Sequence, residues 1–158
     1  MVTITLDTWI KAPVDVVFDL SRSIDLHMYS VAETKEEVID GVKSGLIGLG
    51  QMVTWRAKHF GKYRTLQVKI TKMDRPRHFT DAMVAGDFKS MQHKHLFQPH
   101  NGGTLMRDIF RFEAPYGVIG RLLEILILQR YLRYFLKKRN RILKQVAESG
   151  QAAQFLTH

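Results

Sequence analysis

Residues 2–10 alternate apolar and polar side chains, with Val2, Ile4 and Leu6 set against Thr3, Thr5 and Asp7. That is the period of a strand with one buried face. Pro13 then stands where a helix can start, with Asp15 in its first turn and Val16, Val17 and Leu20 on an apolar side. Ser23 has the side chain of an N-cap for a second short helix, Ile24 to Tyr29. Residues 33–40 read as a polar edge strand. Further alternating runs cover 51–60, 63–73, 77–84, 88–98 and 104–113, with Gly61-Lys62, Gly86-Asp87 and Asn101-Gly102-Gly103 as turns and Pro76 as a break. Strands joined by such short turns run antiparallel. From about Val118 to Glu148 the period becomes helical, with Ile125, Leu128, Leu132, Phe135, Ile142 and Val146 on one stripe that Arg139 interrupts. Thirty helical residues span about 45 Å, enough to cross a sheet.

Two segments stand outside this pattern. Gly41 to Gly50 contains four glycines around Leu46, Ile47 and Leu49. Its spacing is neither a dinucleotide fingerprint nor a phosphate-binding loop. It is either a flexible flap over a pocket, with Leu46, Ile47 and Leu49 as the lid, or a connector whose apolar residues join the core. Residues 149–158 are expected to be a flexible tail behind a single domain of residues 1–148.

Composition narrows the class. At 158 residues, with 45% apolar and 25% charged side chains, the chain suits one globular domain. Cysteine is absent, which excludes disulfides, a Cys nucleophile and thiolate metal sites, and fits a reducing cytoplasm. The N-terminus has no basic segment followed by an apolar core, so no signal peptide is expected. Glu124 interrupts the most apolar stretch, Leu122 to Leu128, which is far short of a membrane span. The net charge of +9 is concentrated: between Arg121 and Lys144 lie eight cations against Glu124 alone. Such a helix face either is simply solvated or docks on anionic lipid or nucleic acid; nucleic acid is not the expected partner.

Local motifs add a resemblance. Ile10-Lys11-Ala12-Pro13-Val14-Asp15-Val16-Val17-Phe18 is similar to the "I-x-A-P-x-x-x-V-F" opening of the helix-grip SRPBCC superfamily. This group includes START lipid-binding domains, pollen-allergen-like proteins and aromatic polyketide cyclases. Gly86-Asp87-Phe88 followed by His93-x-His95-x-Phe97 resembles the "G-P-F…H-x-H-x-F" strand of bacterial cyclase/dehydrase-like members, with Asp87 in place of the usual proline. Gly103-Thr104-x-Met106-x-Asp108 and Pro115-x-Gly117 resemble the closing strand and the approach to the last helix. The resemblance covers essentially the whole chain. It implies an α+β helix-grip fold, in which a seven-stranded curved antiparallel sheet wraps a long C-terminal helix, with two short helices after the first strand. It also implies an apolar cavity for a lipid, polyketide or similar ligand, and no fixed catalytic set.

Alternation shows which side chains share the inward face. These are Val53, Trp55, Ala57 and His59; Phe79, Asp81 and Met83; Met91, His93, His95 and Phe97; and Met106, Asp108, Phe110 and Phe112. Leu122, Ile125, Leu126 and Gln129 would add a helical wall, and Tyr131 or Tyr134 a hydroxyl. His59, Asp81, His93, His95 and Asp108 must satisfy one another, water or a ligand, because buried ionisable groups are costly unpaired. Four readings follow. The polar groups orient a ligand in an apolar pocket; a His with an Asp performs acid–base chemistry such as cyclisation or dehydration; His59, His93 and His95 bind a metal; or the set is purely structural. A two-residue turn at Gly86-Asp87 would put Asp81 opposite Gln92, whereas a bulge would pair it with His93. No G-x-S-x-G turn is present, and Ser21, Ser23 and Ser30 read as cap and loop residues.

The sequence therefore points to a small hydrophobic or aromatic ligand in a cavity lined by Trp55, Phe79, Met83, Met91, Phe97, Met106, Phe110, Leu122, Ile125, Leu126 and Gln129, with no cofactor and no metal expected. The alternatives are a cyclase or dehydratase and a basic-helix interaction module. A homodimer through exposed sheet or helix surface stays open.

Overall fold

The computed structural model describes residues 1–114 and 122–156. The Pro115-x-Gly117 motif and the expected helix start at Val118 lie outside them. Strand β1 (Val2–Ile10) leads into helices α1 (Val14–Ser21) and α2 (Ile24–Ser30). A short 3-10 turn, Ala32–Thr34, precedes β2 (Glu37–Gly41), β3 (Met52–His59), β4 (Lys62–Asp74), β5 (His78–Ala85), β6 (Ser90–His100) and β7 (Gly103–Glu113). Helix α3 (Leu122–Glu148) and a short α4 (Ala153–Leu156) complete the order.

The seven strands form one curved antiparallel sheet in the order β1-β7-β6-β5-β4-β3-β2. Because α1 and α2 separate β1 from β2, the chain crosses from one sheet edge to the other and returns strand by strand. Two-residue turns set much of the register. At β6–β7, Asn101 and Gly102 both take positive φ (48° and 75°), the twist-matched hairpin turn, and His100 faces Gly103. At β3–β4 the turn is Phe60-Gly61 rather than Gly61-Lys62: φ is 52° and 78° there, and His59 pairs with Lys62. At β5–β6 the residues Gly86 to Lys89 intervene, and the longer connection pairs Asp81 with His93.

One continuous core joins the inward sheet face to the helices. Ile4, Ile10, Phe18, Met106, Phe112 and Leu143 are almost completely inaccessible. Helix α3 packs on β1, α1 and α2. Its buried line in the C-terminal half is Leu136, Asn140, Leu143 and Val146. This corrects the expected stripe, since Phe135 and Ile142 are only half-buried flanks.

Two expected mobile segments are fastened. The Gly41–Gly50 loop is tied at both ends: Ile24 N–H donates to Gly45 O, Ile47 N–H to Arg22 O, and Gly50 N–H to Ile70 O. Asp25 accepts from Gly45 N–H at 2.9 Å. Ile47 is buried in the core, Leu46 half-buried and Leu49 exposed, which is the connector arrangement. The expected tail also docks. Ser23 Oγ donates to Phe155 O at 2.8 Å while accepting the Leu26 N–H of its own helix, and the Phe155 ring meets Tyr29.

Candidate functional site

Strands β5, β6 and β7 bring four ionisable side chains to the centre of the concave face. Asp81 lies opposite His93, and His95 opposite Asp108, so period-two alternation places all four on one side. His95 Nε2 is 2.9 Å from Asp81 Oδ2, and His93 Nε2 is 2.8 Å from Asp108 Oδ1. His95 Nδ1 also lies 3.2 Å from Asp108 Oδ1, but without the alignment of a hydrogen bond. The two imidazoles overlap at 3.8 Å between centroids, and Phe79 stacks on the outer face of His95 at 4.1 Å.

Helix α3 closes the cluster with two residues that the sequence reading did not assign to it. Asn140 Nδ2 donates to Asp108 Oδ2 at 2.6 Å, and Arg139 Nη1 stands 3.7 Å from Asp108 Oδ1. Arg139 also donates to Ser21 O at 3.1 Å. A signal for them exists in the sequence: Leu136, Asn140 and Leu143 follow helical steps of four and three, but a polar residue on that stripe looks like an interruption.

Charge separates the roles. Asp108 loses its hydration to burial, yet the bond to His93 and the close approach of His95 hold its carboxyl well below the usual range. Asp81 is likewise held low despite burial, through its bond to His95. Burial opposes charge on His95, but the neighbouring Asp108 carboxylate and the bond to Asp81 outweigh that and raise it. His93 moves the other way, lowered by burial and by the neighbouring His95, against the pull of Asp108. The two imidazoles are therefore pushed in opposite directions, His95 toward the protonated form and His93 toward the neutral one. With Nε2–H directed at Asp108, the neutral tautomer of His93 carries its lone pair on Nδ1.

His59 is not part of this group. Strands β4 and β5 intervene between β3 and β6, and His59 Nδ1 instead pairs with Tyr131 Oη at 2.7 Å beside Phe135. Its pKa is lowered, chiefly by burial. His59, His93 and His95, the three on which the metal reading drew, do not come together; Asp81, His93 and His95 are the group whose ligating atoms all lie within 4.8 Å of one another. A cation there would have to displace the proton that His95 shares with Asp81.

The apolar residues named from the sequence divide in three. Trp55, Phe79, Met91, Phe97, Met106 and Phe110 are buried core, with Phe79 and Phe97 packed on Phe18 and Trp55 against His27. Met83, Ile125 and Gln129 are half-buried. Leu122 and Leu126 do not form a wall, being 74% and 54% exposed. Leu66, Phe88, Leu128 and Leu132 share the half-buried class with Met83 and pack on the core's margin. A surface cleft of about 560 Å³ lies elsewhere, between the β1–α1 connection and the β6–β7 turn, and an interior void of about 10 Å³ sits beside Arg139 and Leu143. None of the described helices is long and apolar enough to cross a membrane.

No protein-family model matches the chain, and no curated protein does. Solved structures do. Protein TTHA0849 of Thermus thermophilus superposes with a TM-score of 0.69 at 20% identity, covering 90% of this chain and 97% of that one. Major latex-like protein 151 of Panax ginseng gives 0.66 at 17% identity, over 93% and 97%. The KanY protein gives 0.70 at 14% identity, also over 93% and 97%. Likenesses at these identities concern the fold, and on that point they agree with the strand order and the long last helix: the chain has the helix-grip fold.

Proposed function

We propose that the protein holds a small hydrophobic or aromatic ligand on the concave sheet face, toward the N-terminal half of α3, with His93 and the His59–Tyr131 pair as polar contacts. One observation supports this most directly. The inward face packs to near-complete burial around Leu143, whereas Leu66 and Met83 on the sheet, Phe88 in the β5–β6 connection, and Leu128 and Leu132 on the helix remain half-buried at the other end. Apolar side chains left at the edge of a core, next to a few convergent polar groups, are what a small-molecule site requires. A cysteine-free sequence fits a protein that works in a reducing cytoplasm.

Native mass spectrometry of protein purified from its own host is expected to show an apolar molecule retained one-to-one. Met83→Glu, at a half-buried position, is expected to weaken saturable binding of the fluorescent probe anilinonaphthalene sulfonate at least tenfold while leaving the fold intact. Absence of both a retained molecule and saturable probe binding would reject the proposal.

A second reading is favoured by His93 itself. A neutral imidazole oriented by Asp108 is suited to removing a proton beside a ligand carbonyl, as cyclisation or dehydration of a polyketide-like substrate requires. His93→Gln would then abolish turnover of a trial polyketide while sparing binding; unchanged turnover excludes this role.

A further inference from the structure

The outward face of α3 carries apolar and cationic side chains in sequence. Leu122, Leu126, Arg130, Arg133, Lys137 and Arg141 follow one another at steps of four, four, three, four and four, so they lie along one side of the helix. Ile127 and Tyr134 flank that line and are 51% and 55% exposed. Between them Tyr131 receives the Phe60 ring at 4.5 Å, which brings the β3–β4 turn alongside. Phe60 and Tyr63 at that turn are also exposed, with exposed Lys58 and Lys62 next to them.

Ion pairing separates the cations of α3 by face. Lys138 pairs with Glu33, Arg139 with Asp108 and Lys144 with Glu148, all toward the packed flanks. Arg130, Arg133, Lys137 and Arg141 make no ion pair among the described residues, and neither do Lys58 and Lys62. The positive charge on this face is therefore uncompensated among the described residues, and it surrounds large exposed apolar side chains.

We infer that this face of α3, with the β3–β4 turn, docks on an anionic lipid bilayer. A bilayer interface satisfies both halves of the pattern: headgroup charge attracts the cations, and the acyl boundary takes up Leu122, Leu126, Ile127 and Phe60. Nucleic acid would engage the cations and leave the leucines in water. A second copy of the chain would set the same uncompensated cations against each other across a two-fold interface. Docking by this outward face is independent of whether the interior holds a ligand.

The test is sedimentation with vesicles of 70:30 phosphatidylcholine and phosphatidylglycerol against vesicles of phosphatidylcholine alone, at 0.1 and 0.5 M salt. Binding is expected only to the anionic vesicles and is expected to fall steeply at the higher salt. Arg130→Glu with Lys137→Glu should reduce it at least tenfold, since each cation near such a surface contributes about fivefold. Leu126→Ser with Ile127→Ser should reduce it about tenfold by a route that salt does not mimic. All four positions lie on the helix's outer side, so thermal melts should match the parent protein. Equal binding to both vesicle types, or to neither, overturns the inference. So does duplex-DNA binding that the charge variant loses and the Leu126/Ile127 variant keeps, or a micromolar dimer that both variants dissolve.

Discussion

Asp108 is the point on which the buried cluster turns, and Asp108→Asn removes its charge with almost no change of shape. In the native protein this side chain is wholly inaccessible and receives His93 at 2.8 Å and Asn140 at 2.6 Å, with the His95 imidazole at 3.2 Å and the Arg139 guanidinium at 3.7 Å. The amide leaves Arg139, and His95 whenever it is protonated, with Asp81 as the remaining carboxylate of the cluster. Removing one partner of a buried ion pair costs about 3–5 kcal/mol, so a loss of that size is expected in urea denaturation near neutral pH. The pH dependence is more diagnostic. The carboxyl of Asp108 is held below its ordinary value, so its contribution is present above about pH 4 and is lost as pH falls through the folded value. His95 is held above its ordinary value, so its contribution is complete below about pH 6.5 and is lost as pH rises through the raised one. The gap between native and variant stability should therefore be widest between about pH 4 and pH 6.5 and narrow on either side. Proton NMR should show the His95 titration moving to lower pH in the variant. A loss below about 1 kcal/mol with an unmoved His95 titration would refute the coupling described here.

Two further outcomes follow from the packing. Leu143, 2% exposed on the buried line of α3, should cost about 2–5 kcal/mol as Leu143→Ala in the same denaturation assay, and a cost under about 1 kcal/mol would mean α3 is not seated as described. Ser23→Ala removes the N-cap of α2 and the hydroxyl donor to Phe155 O together. It should lower stability by about 1 kcal/mol and speed amide exchange over Ala153–Leu156, and unchanged exchange there would show that the tail is held by something else.

The strands are legible because each carries its burial in a period of two, and alternation survives errors in where a strand ends. Turn positions are less so. Phe60 looks like the last residue of a strand because nothing in an aromatic side chain announces φ above zero; only Gly61 beside it does. The Gly41–Gly50 loop looks free because three of its fastenings are backbone bonds to Arg22, Ile24 and Ile70, which carry no side-chain signature, and Asp25, which accepts from Gly45 N–H, looks like an ordinary first-turn acid of α2. The tail looks free for a similar reason: its anchor is a carbonyl, that of Phe155, which accepts from a serine whose evident role is that of a cap.

The candidate site is legible in membership and not in pairing. Alternation places Asp81, His93, His95 and Asp108 on one face, but which imidazole is favoured for protonation depends on cross-strand register and on what α3 adds from above. With both carboxylates ionised and His95 protonated, His95 and Arg139 together balance them, and the cluster is then neutral only while His93 stays neutral. A proton accepted by His93 would leave an uncompensated charge in the core unless a ligand anion or released proton offset it. His93 is thus a base whose charging burial and the neighbouring His95 oppose, and whose Nε2 Asp108 already orients.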